Sequence, residues 1–366
     1  MEICVQKNEL LKKLSLCVNI AASKPSTLPI LNNILLETQK GGKIKLVATD
    51  MEVGLSTLMM GTIVQEGSIT LPAKKFHDII KELPEGDVEL VVTKNNTVSV
   101  KAGKSHFKIM GLGKEDYPQL PEFSLEHAVE LDQSLIKESL LLTSFAISHD
   151  ETRYVLNGVL FSFQGNQARF IATDGRRLAF YRKEIKKKIE KNIDIIIPAK
   201  TIYEMMKLLE WEGMVKFITT QNKAVFYFDD TYLTSSLIEG NFPNYEQVIL
   251  KEENTHVQVN REEFLQAVRR ASLLTSPEAP ALKFDCVKNK VIVSAKSPNI
   301  GEAKEEVPAE FKGQEITIGF NPGYFIDVLK NLNEENITLS LNKPDSPGMV
   351  RGREGYLYVI MPMQLN

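Results

Sequence analysis

Cysteine is scarce in this chain, and its three copies make no framework. Cys4, Cys17 and Cys286 are odd in number, widely spaced and set among apolar neighbours. That pattern points to buried free thiols rather than a disulfide scaffold or a metal site. Long apolar runs are missing too. None approaches the 18 residues that a membrane-spanning helix needs, and the opening "MEICVQKNELLKKL" lacks the apolar core of a leader. The expected compartment is therefore the cytoplasm. A surplus of positive charge is also lacking: 44 Lys and Arg face 47 Asp and Glu, for a net −3. The total gives no sign of a nucleic-acid binder, although an uneven distribution can hide beneath it.

The motifs of common enzyme classes are absent as well. "AGKSH" (102–106) contains Gly-Lys-Ser, but Val98 stands where a phosphate loop needs glycine. "GLGKED" (111–116) begins like a dinucleotide fingerprint, ends in Asp116, and meets Pro118 before any helix. No Gly-x-Ser-x-Gly elbow occurs. The histidines at 77, 106, 127, 149 and 256 have no metal-ligand spacing. Asp229-Asp230, between "AVFYF" and "TYLTSSL", reads as a hairpin turn rather than a carboxylate pair for acid–base work. The expectation is no catalytic site, no metal and no cofactor.

What is present is repetition. At 366 residues the chain exceeds one ordinary core, and three kinds of segment recur. An alternating start followed by apolar residues at helical spacing occurs in "MEICVQKNELLKKLSLCVNIAASK", "AVELDQSLIKESLLLTSFAISHD" and "HVQVNREEFLQAVRRASLLTSP". In the first copy Leu10, Leu14, Cys17, Val18 and Ala21 form the stripe. Paired strands around a Gly/Asn/Lys turn occur in "LPILNNILLETQKGGKIKLVATDMEVGL", "RYVLNGVLFSFQGNQARFIATDGRRLAF" and, more weakly, "APALKFDCVKNKVIVSAKSPNIGEA".

Strand–helix–strand units occur in "ITLPAKKFHDIIKELPEGDVELVV", "IIIPAKTIYEMMKLLEWEGMVKFIT" and "ITIGFNPGYFIDVLKNLNEENITLSL". Their apolar sets are Phe76/Ile79/Ile80/Leu83, Ile202/Met205/Met206/Leu209 and Phe325/Val328/Leu329/Leu332, each one stripe toward a sheet. Pro72 and Pro198 stand near helix starts, where a missing N–H costs little.

Thr49-Asp50 recurs as Thr173-Asp174, and Pro72 as Pro198, so the period is about 120 residues. The fold expected is α+β, in three tandem similar domains at 1–124, 125–252 and 253–366, with helices on one sheet face. The boundaries "PEFSLEHA" and "LKEENTH" are short and carry strand-like residues, which favours a rigid fused array over loosely strung domains. Fused similar units can curve into an arc, and an arc can close into a ring through a second chain, head to tail.

Charge is uneven along this pattern. The six helical segments (7–24, 72–83, 133–149, 198–212, 260–276 and 321–333) together carry +4, which leaves −7 for the rest. By itself this is what solvated helix faces show. Helices facing a polyanion would hold it loosely, through salt-dependent and sequence-independent contacts. They lack the interleaved aromatics that capture single strands.

Taken together, "LPILNNILLE" followed by "ATD", then "RYVLNGVLF", "ATDGRRLAF", "FPNYEQVI" and the terminal "YVIMPMQL" resemble the bacterial sliding clamp family. That family is the beta subunit of the replicative DNA polymerase III holoenzyme. The resemblance runs in order over the full length, Met1 to about Leu365. It implies the DNA clamp fold, with two chains closing head to tail into a ring of six similar domains, helices lining the inner face and sheets outside. It implies a non-catalytic processivity factor in DNA replication. Such a ring encircles double-stranded DNA without sequence preference and is opened by an ATP-driven clamp loader complex. It tethers the replicative polymerase catalytic subunit and other replication and repair proteins that carry a clamp-binding motif. The alternative is a non-encircling peptide-binding adaptor. A nucleotide-dependent enzyme is a third reading, against which the missing phosphate loop speaks.

The resemblance also implies sites. A peptide-binding pocket between the second and third domains would use Leu156, Thr173, Gly175, Arg176, Arg177, Leu178, Pro243 and Val248. From the third domain it would add Ser346, Val359, Met361, Pro362, Met363 and Leu365. Leu, Val, Pro and Met supply an apolar lining, and methionine repacks around different partners. The arginines of "ATDGRRLAF" then read as docking contacts rather than a phosphate site. DNA-facing positions would be Lys24, Lys74, His149, Tyr154 and Lys200, with Lys104 in "VKAGKSHFK" as a further candidate. The homodimer contact would set Phe107 and Ile109 against Leu273 and Leu274. Val155 and Asp150 depart from the family pattern beside the DNA-facing positions, and Gln364 and Asn366 depart from it in the tail.

Overall fold

The computed structural model describes residues 1–21, 28–121, 123–126, 128–249, 253–275, 280–297 and 301–365. Lys24, His127 and Asn366 lie outside the described residues. Six α-helices occur among the described residues, one in each expected segment: α1 Lys7–Val18, α2 Ala73–Glu82, α3 Gln133–Thr143, α4 Ala199–Leu208, α5 Arg261–Ser272 and α6 Pro322–Asn331. No helix among them is long and apolar enough to cross a membrane.

The local chemistry accounts for where the helices begin. Asn260 Oδ1 accepts the N–H groups of Glu262 and Glu263 at 3.0 and 3.1 Å, which caps α5. Asn321 Oδ1 accepts Gly323 N–H at 2.9 Å, and Pro322 occupies the first turn of α6. Pro72 and Pro198 end strands and directly precede α2 and α4. The stripes read from the sequence are the buried ones: Leu10, Leu14 and Cys17 on α1, Phe76 and Ile80 on α2, Phe325, Val328 and Leu329 on α6. Val18, Ile79 and Met206, at the stripe edges, are half-buried.

The chain divides into two compact units. One contains Met1–Ser134 and Tyr203–Leu237. It holds a five-stranded sheet in the order Thr62–Gln65, Glu2–Gln6, Asp87–Val92, Thr97–Ala102, Ser105–Met110. Its eight-stranded sheet runs Val129–Asp132, Met214–Thr219, Lys223–Phe228, Thr231–Ser236, Val53–Met60, Lys43–Thr49, Asn33–Gln39, Ser68–Pro72. The first and second repeats therefore share this sheet. Leu55 pairs with Leu233, and the buried hydroxyls of Thr57 and Thr231 lie 3.0 Å apart across the seam. The expected turn at Asp229-Asp230 joins Phe228 to Thr231, with both aspartates at positive φ, as a tight hairpin requires.

The other unit contains Leu135–Ile202 and Ile238–Asn366. Its ten-stranded sheet runs Gly158–Thr173, Arg177–Pro198, Tyr356–Ile360, Gly348–Arg351, Asn336–Leu341, Thr255–Asn260, Gly301–Gly313, Lys290–Ser297, Leu282–Val287, Ile316–Phe320. Here the second repeat is joined to the third. Strand Arg177–Pro198 pairs antiparallel with Tyr356–Ile360, in register from Arg177↔Ile360 to Tyr181↔Tyr356. Helices α5 and α6 pack under this sheet through fully buried aromatics. Phe325 meets Phe264 edge-on at 5.6 Å and Phe320 at 5.4 Å. Such pairs contribute about 0.5–1.5 kcal/mol beyond their area.

A candidate docking groove

The turn between Thr173 and Arg177 is built from side chains that tie down its own backbone. Thr173 Oγ1 donates to Arg177 O at 2.6 Å and accepts Gly175 N–H at 3.0 Å. Asp174 Oδ1 accepts the N–H groups of Arg176 and Arg177 at 2.8 and 3.0 Å. The first repeat copies this bond for bond. Thr49 Oγ1 donates to Val53 O and accepts Met51 N–H, while Asp50 Oδ1 accepts Glu52 and Val53 N–H. Asp174 is therefore structural in origin, an Asx-type turn that fixes where the next strand begins.

Arg177 is what the second copy adds. Its Nε donates to Asp174 Oδ2 at 3.0 Å, its Nη1 to Asp327 Oδ2 at 2.5 Å and its Nη2 to Phe145 O at 2.6 Å. The guanidinium also lies 4.7 Å from the centre of the Tyr324 ring. With its side chain 11% exposed, it secures the turn to α6. The head group expected to serve as a docking contact is thus occupied from within. Arg176 differs: its side chain is exposed, and its carbonyl accepts Met361 N–H at 2.9 Å.

Beside this turn lies a groove of about 140 Å³, lined by Leu156, Thr173, Gly175, Arg177, Leu178, Pro243, Asn244, Tyr245, Val248, Val359 and Met361. The lining is chiefly apolar. It rests on a buried cluster of Leu160, Ile171, Leu178, Ile196, Met349, Leu357 and Val359, against which Phe180 and Tyr245 pack with ring centres 5.8 Å apart. Nine of the fourteen residues expected at a pocket are thereby brought together. Asn244 and Tyr245 line it too, from the same segment "FPNYEQVI" that supplies Pro243 and Val248.

The remaining five are placed otherwise. Arg176 points outward, and Ser346 lies in a loop, its N–H bonded to Lys343 O. The tail segment Pro362, Met363 and Leu365 follows the edge of strand Ile316–Phe320, with Met363 N–H on Gly319 O at 2.8 Å. A Cβ on Gly319 would stand 2.5 Å from Met363 O, so only glycine lets the tail lie there.

The expected cationic positions are exposed or half-exposed. Lys74 and Lys200 occupy the first turns of α2 and α4, and Lys104 sits in the tight turn between paired Ala102 and Ser105. His149 is exposed, and Tyr154 is 58% exposed in the short 3₁₀ segment Glu151–Leu156. Asp150 caps that segment by accepting Thr152 N–H and Oγ1–H and Arg153 Nε–H, bonds that hold its carboxyl below the usual range. Of the residues expected at a chain–chain contact, Phe107 on the edge strand Ser105–Met110 is 41% exposed and Leu273, just past α5, is 77% exposed. Leu274 is half-buried, and Ile109 is only 7% exposed, so Ile109 backs the strand rather than offering surface.

Tandem α+β repeats that share sheets edge to edge, with an apolar groove on the sheet where the second repeat meets the third, define a DNA-clamp fold. The comparisons agree along the whole chain. Residues 1–121, 130–244 and 246–364 match, in turn, the N-terminal, central and C-terminal domains of the DNA polymerase III beta subunit. The chain is 32% identical to a beta sliding clamp of Pseudomonas putida and 31% identical to that of Escherichia coli, with all of both chains covered in each case. Among solved structures it resembles the sliding clamp of Bacillus subtilis (29% identity, TM-score 0.96). It also resembles the Pseudomonas aeruginosa sliding clamp bound to griselimycin (31% identity, TM-score 0.95), again over the whole of each chain. The chain belongs to the DNA polymerase III beta subunit family, the bacterial sliding clamps.

Proposed function

We propose that this chain is a processivity clamp. Two copies close head to tail into a ring of six similar domains around duplex DNA, with domains divided near 124/125 and 252/253. The groove beside Arg177 receives short apolar segments of the replicative polymerase, the clamp loader and other replication proteins. The ring works in the cytoplasm and catalyses nothing. The observation that carries this reading is the end-to-end match of three tandem domains to one family.

Local chemistry supports it. Lys74 and Lys200 stand in first helical turns that contain no acidic residue. Lysine there adds to the positive end of the helix dipole, an arrangement suited to a polyanion. Chain closure has material as well. Phe107 and Leu273 are large apolar side chains left exposed in the single chain, and Phe107 lies on a sheet edge between His106 and Lys108. An apolar contact with a charged surround is what a lasting interface uses.

The test places the protein on nicked circular duplex DNA, with solution mass measured alongside. A clamp has the mass of two chains, stays on the circle through a desalting column, and is lost when the circle is cut. A Leu273→Lys chain should be monomeric and escape from circles. Equal retention on circular and linear DNA would indicate a non-encircling binder and overturn the proposal, as would a strictly monomeric parent chain at micromolar concentration.

A further inference from the structure

The register of the ten-stranded sheet lays a chemical gradient across one of its faces. Successive strand residues alternate faces, so Leu178, Phe180 and Arg182 share one. Leu178 pairs with Thr173 and Val359, which makes an apolar row in the groove. Phe180, two residues on, pairs with Ile171 and Leu357. Arg182 pairs directly with Arg169, and its N–H bonds Gly355 O at 2.9 Å. The third row therefore sets two guanidinium groups opposite each other across an antiparallel pair, an arrangement that costs stability unless an anion offsets it.

This third row belongs to a basin of about 610 Å³ that Arg351 and Arg353 also line, and Tyr245 lines both the basin and the groove. Arg353 is engaged by Glu138 and Glu334, and Arg351 by Glu253. Among the described residues neither Arg169 nor Arg182 meets a carboxylate; Arg169 Nη2 reaches only Gln167 Oε1, at 3.1 Å. Glu246 and Glu354 also line the basin and limit its positive charge.

We infer that this arginine basin is a subsite for an acidic flank on the peptide that docks in the groove. The inference rests on the docking role proposed above. The occupant is a segment whose Asp or Glu side chains lie about four extended residues from its apolar anchor, because two row steps span about 13 Å. Arginine forks match carboxylates in pairs. The moderated charge suits a few carboxylates better than a phosphate backbone. Phe180 and Tyr245 pack on each other rather than standing apart for bases. A partner lacking acidic residues at that distance still docks, but more weakly, so the basin ranks partners that compete for one groove.

The experiment uses the full chain and fluorescent peptides with one apolar anchor and a four-residue extension on either side, ending in Glu-Glu or Gln-Gln. At low salt the Glu form on one side should bind about tenfold more tightly than its Gln counterpart. The gain should vanish in Arg169→Gln/Arg182→Gln and in high salt, while the Gln peptide binds parent and variant alike. Arg182 is exposed and Arg169 half-buried on the same sheet face, and glutamine keeps most of the side-chain length, so the variant should fold, and relief of the like-charge pair should leave its melting temperature equal or higher. Equal affinity for Glu and Gln peptides on both sides overturns the subsite and leaves the groove standing. Failure of every peptide to bind overturns both. Displacement of the Glu peptide by oligothymidylate, dependent on the two arginines, would reassign the basin to nucleic acid and overturn the inference.

Discussion

Arg177 Nη1 lies 2.5 Å from Asp327 Oδ2, so a turn of the second repeat is secured to a helix of the third. The same guanidinium serves Asp174 and Phe145 O while its side chain stays 11% exposed. Removing it leaves the Asp174 carboxylate, 19% exposed, and the Phe145 carbonyl without this donor, while Asp327, 40% exposed, turns to water. Arg177→Met should destabilise the chain by about 2–4 kcal/mol. Arg177→Lys should recover less than half of that, because one ammonium cannot reproduce a planar fork on three acceptors. Urea midpoints at unchanged slope measure both, and a loss below about 0.5 kcal/mol for Arg177→Met would refute the role.

That role also marks where the sequence stops being legible. The Thr-Asp turn could be read because its bonds reach no further than four residues, and because the first repeat holds it without arginines. Helices were readable from period, since each stripe faces one sheet. Arg177 was not, because Asp327 lies 150 residues on and no local pattern announces the pair. The tail escaped for a similar reason: whether Met363 lines the groove or follows Gly319 depends on an edge strand 44 residues earlier. Phe107 and Ile109 share a strand face by alternation, yet only Ile109 is covered, and cover is a tertiary property. Asn244 and Tyr245 are legible from sequence, since both stand between Pro243 and Val248 in one short segment of the groove lining.

The two copies of the turn differ in strain. Its third residue has φ of 79° at Met51 and 85° at Gly175. Methionine occupies the left-handed region at a cost that glycine avoids. Met51→Gly should therefore stabilise the chain by about 0.5–1 kcal/mol net, after the greater freedom of glycine in the unfolded state is counted. Gly175→Ala should cost about 1 kcal/mol or more, since its Cβ would stand 2.5 Å from Arg153 Nη1 and push that side chain aside. Melting curves of the two variants should move in opposite directions.

The thiols give a pH-dependent readout. Burial pushes Cys17 and Cys286 up to about 12, and Cys4, half-buried, is raised less far. Only a thiolate attacks an alkylating reagent, so at pH 8 the native chain should leave Cys17 and Cys286 unlabelled, whereas denaturant exposes all three. The folded pKa values exceed the unfolded ones, so the folded chain holds more protons between about 9 and 12. The stability contribution is whole below pH 9 and is lost as pH rises through that window. Mass spectrometry counts the adducts. Rapid native labelling of Cys17 would mean that α1 opens easily.

The groove can be tested without disturbing what supports it. Val248 and Met361 are each 37% exposed, whereas Leu178 beneath them is 3% exposed. Leu178→Ala would lose about 2–4 kcal/mol of folding stability and so could not report on docking alone. Val248→Asp and Met361→Glu alter lips that already face water, and should leave stability within about 0.5 kcal/mol of the parent. An apolar peptide anchor would then meet a carboxylate that it cannot pair. Affinity should fall by about 1–3 kcal/mol, roughly 5- to 150-fold. Anisotropy titrations and melts on the same samples separate the two effects. Unchanged peptide affinity in both variants, with intact melts, would move the docking site away from this groove.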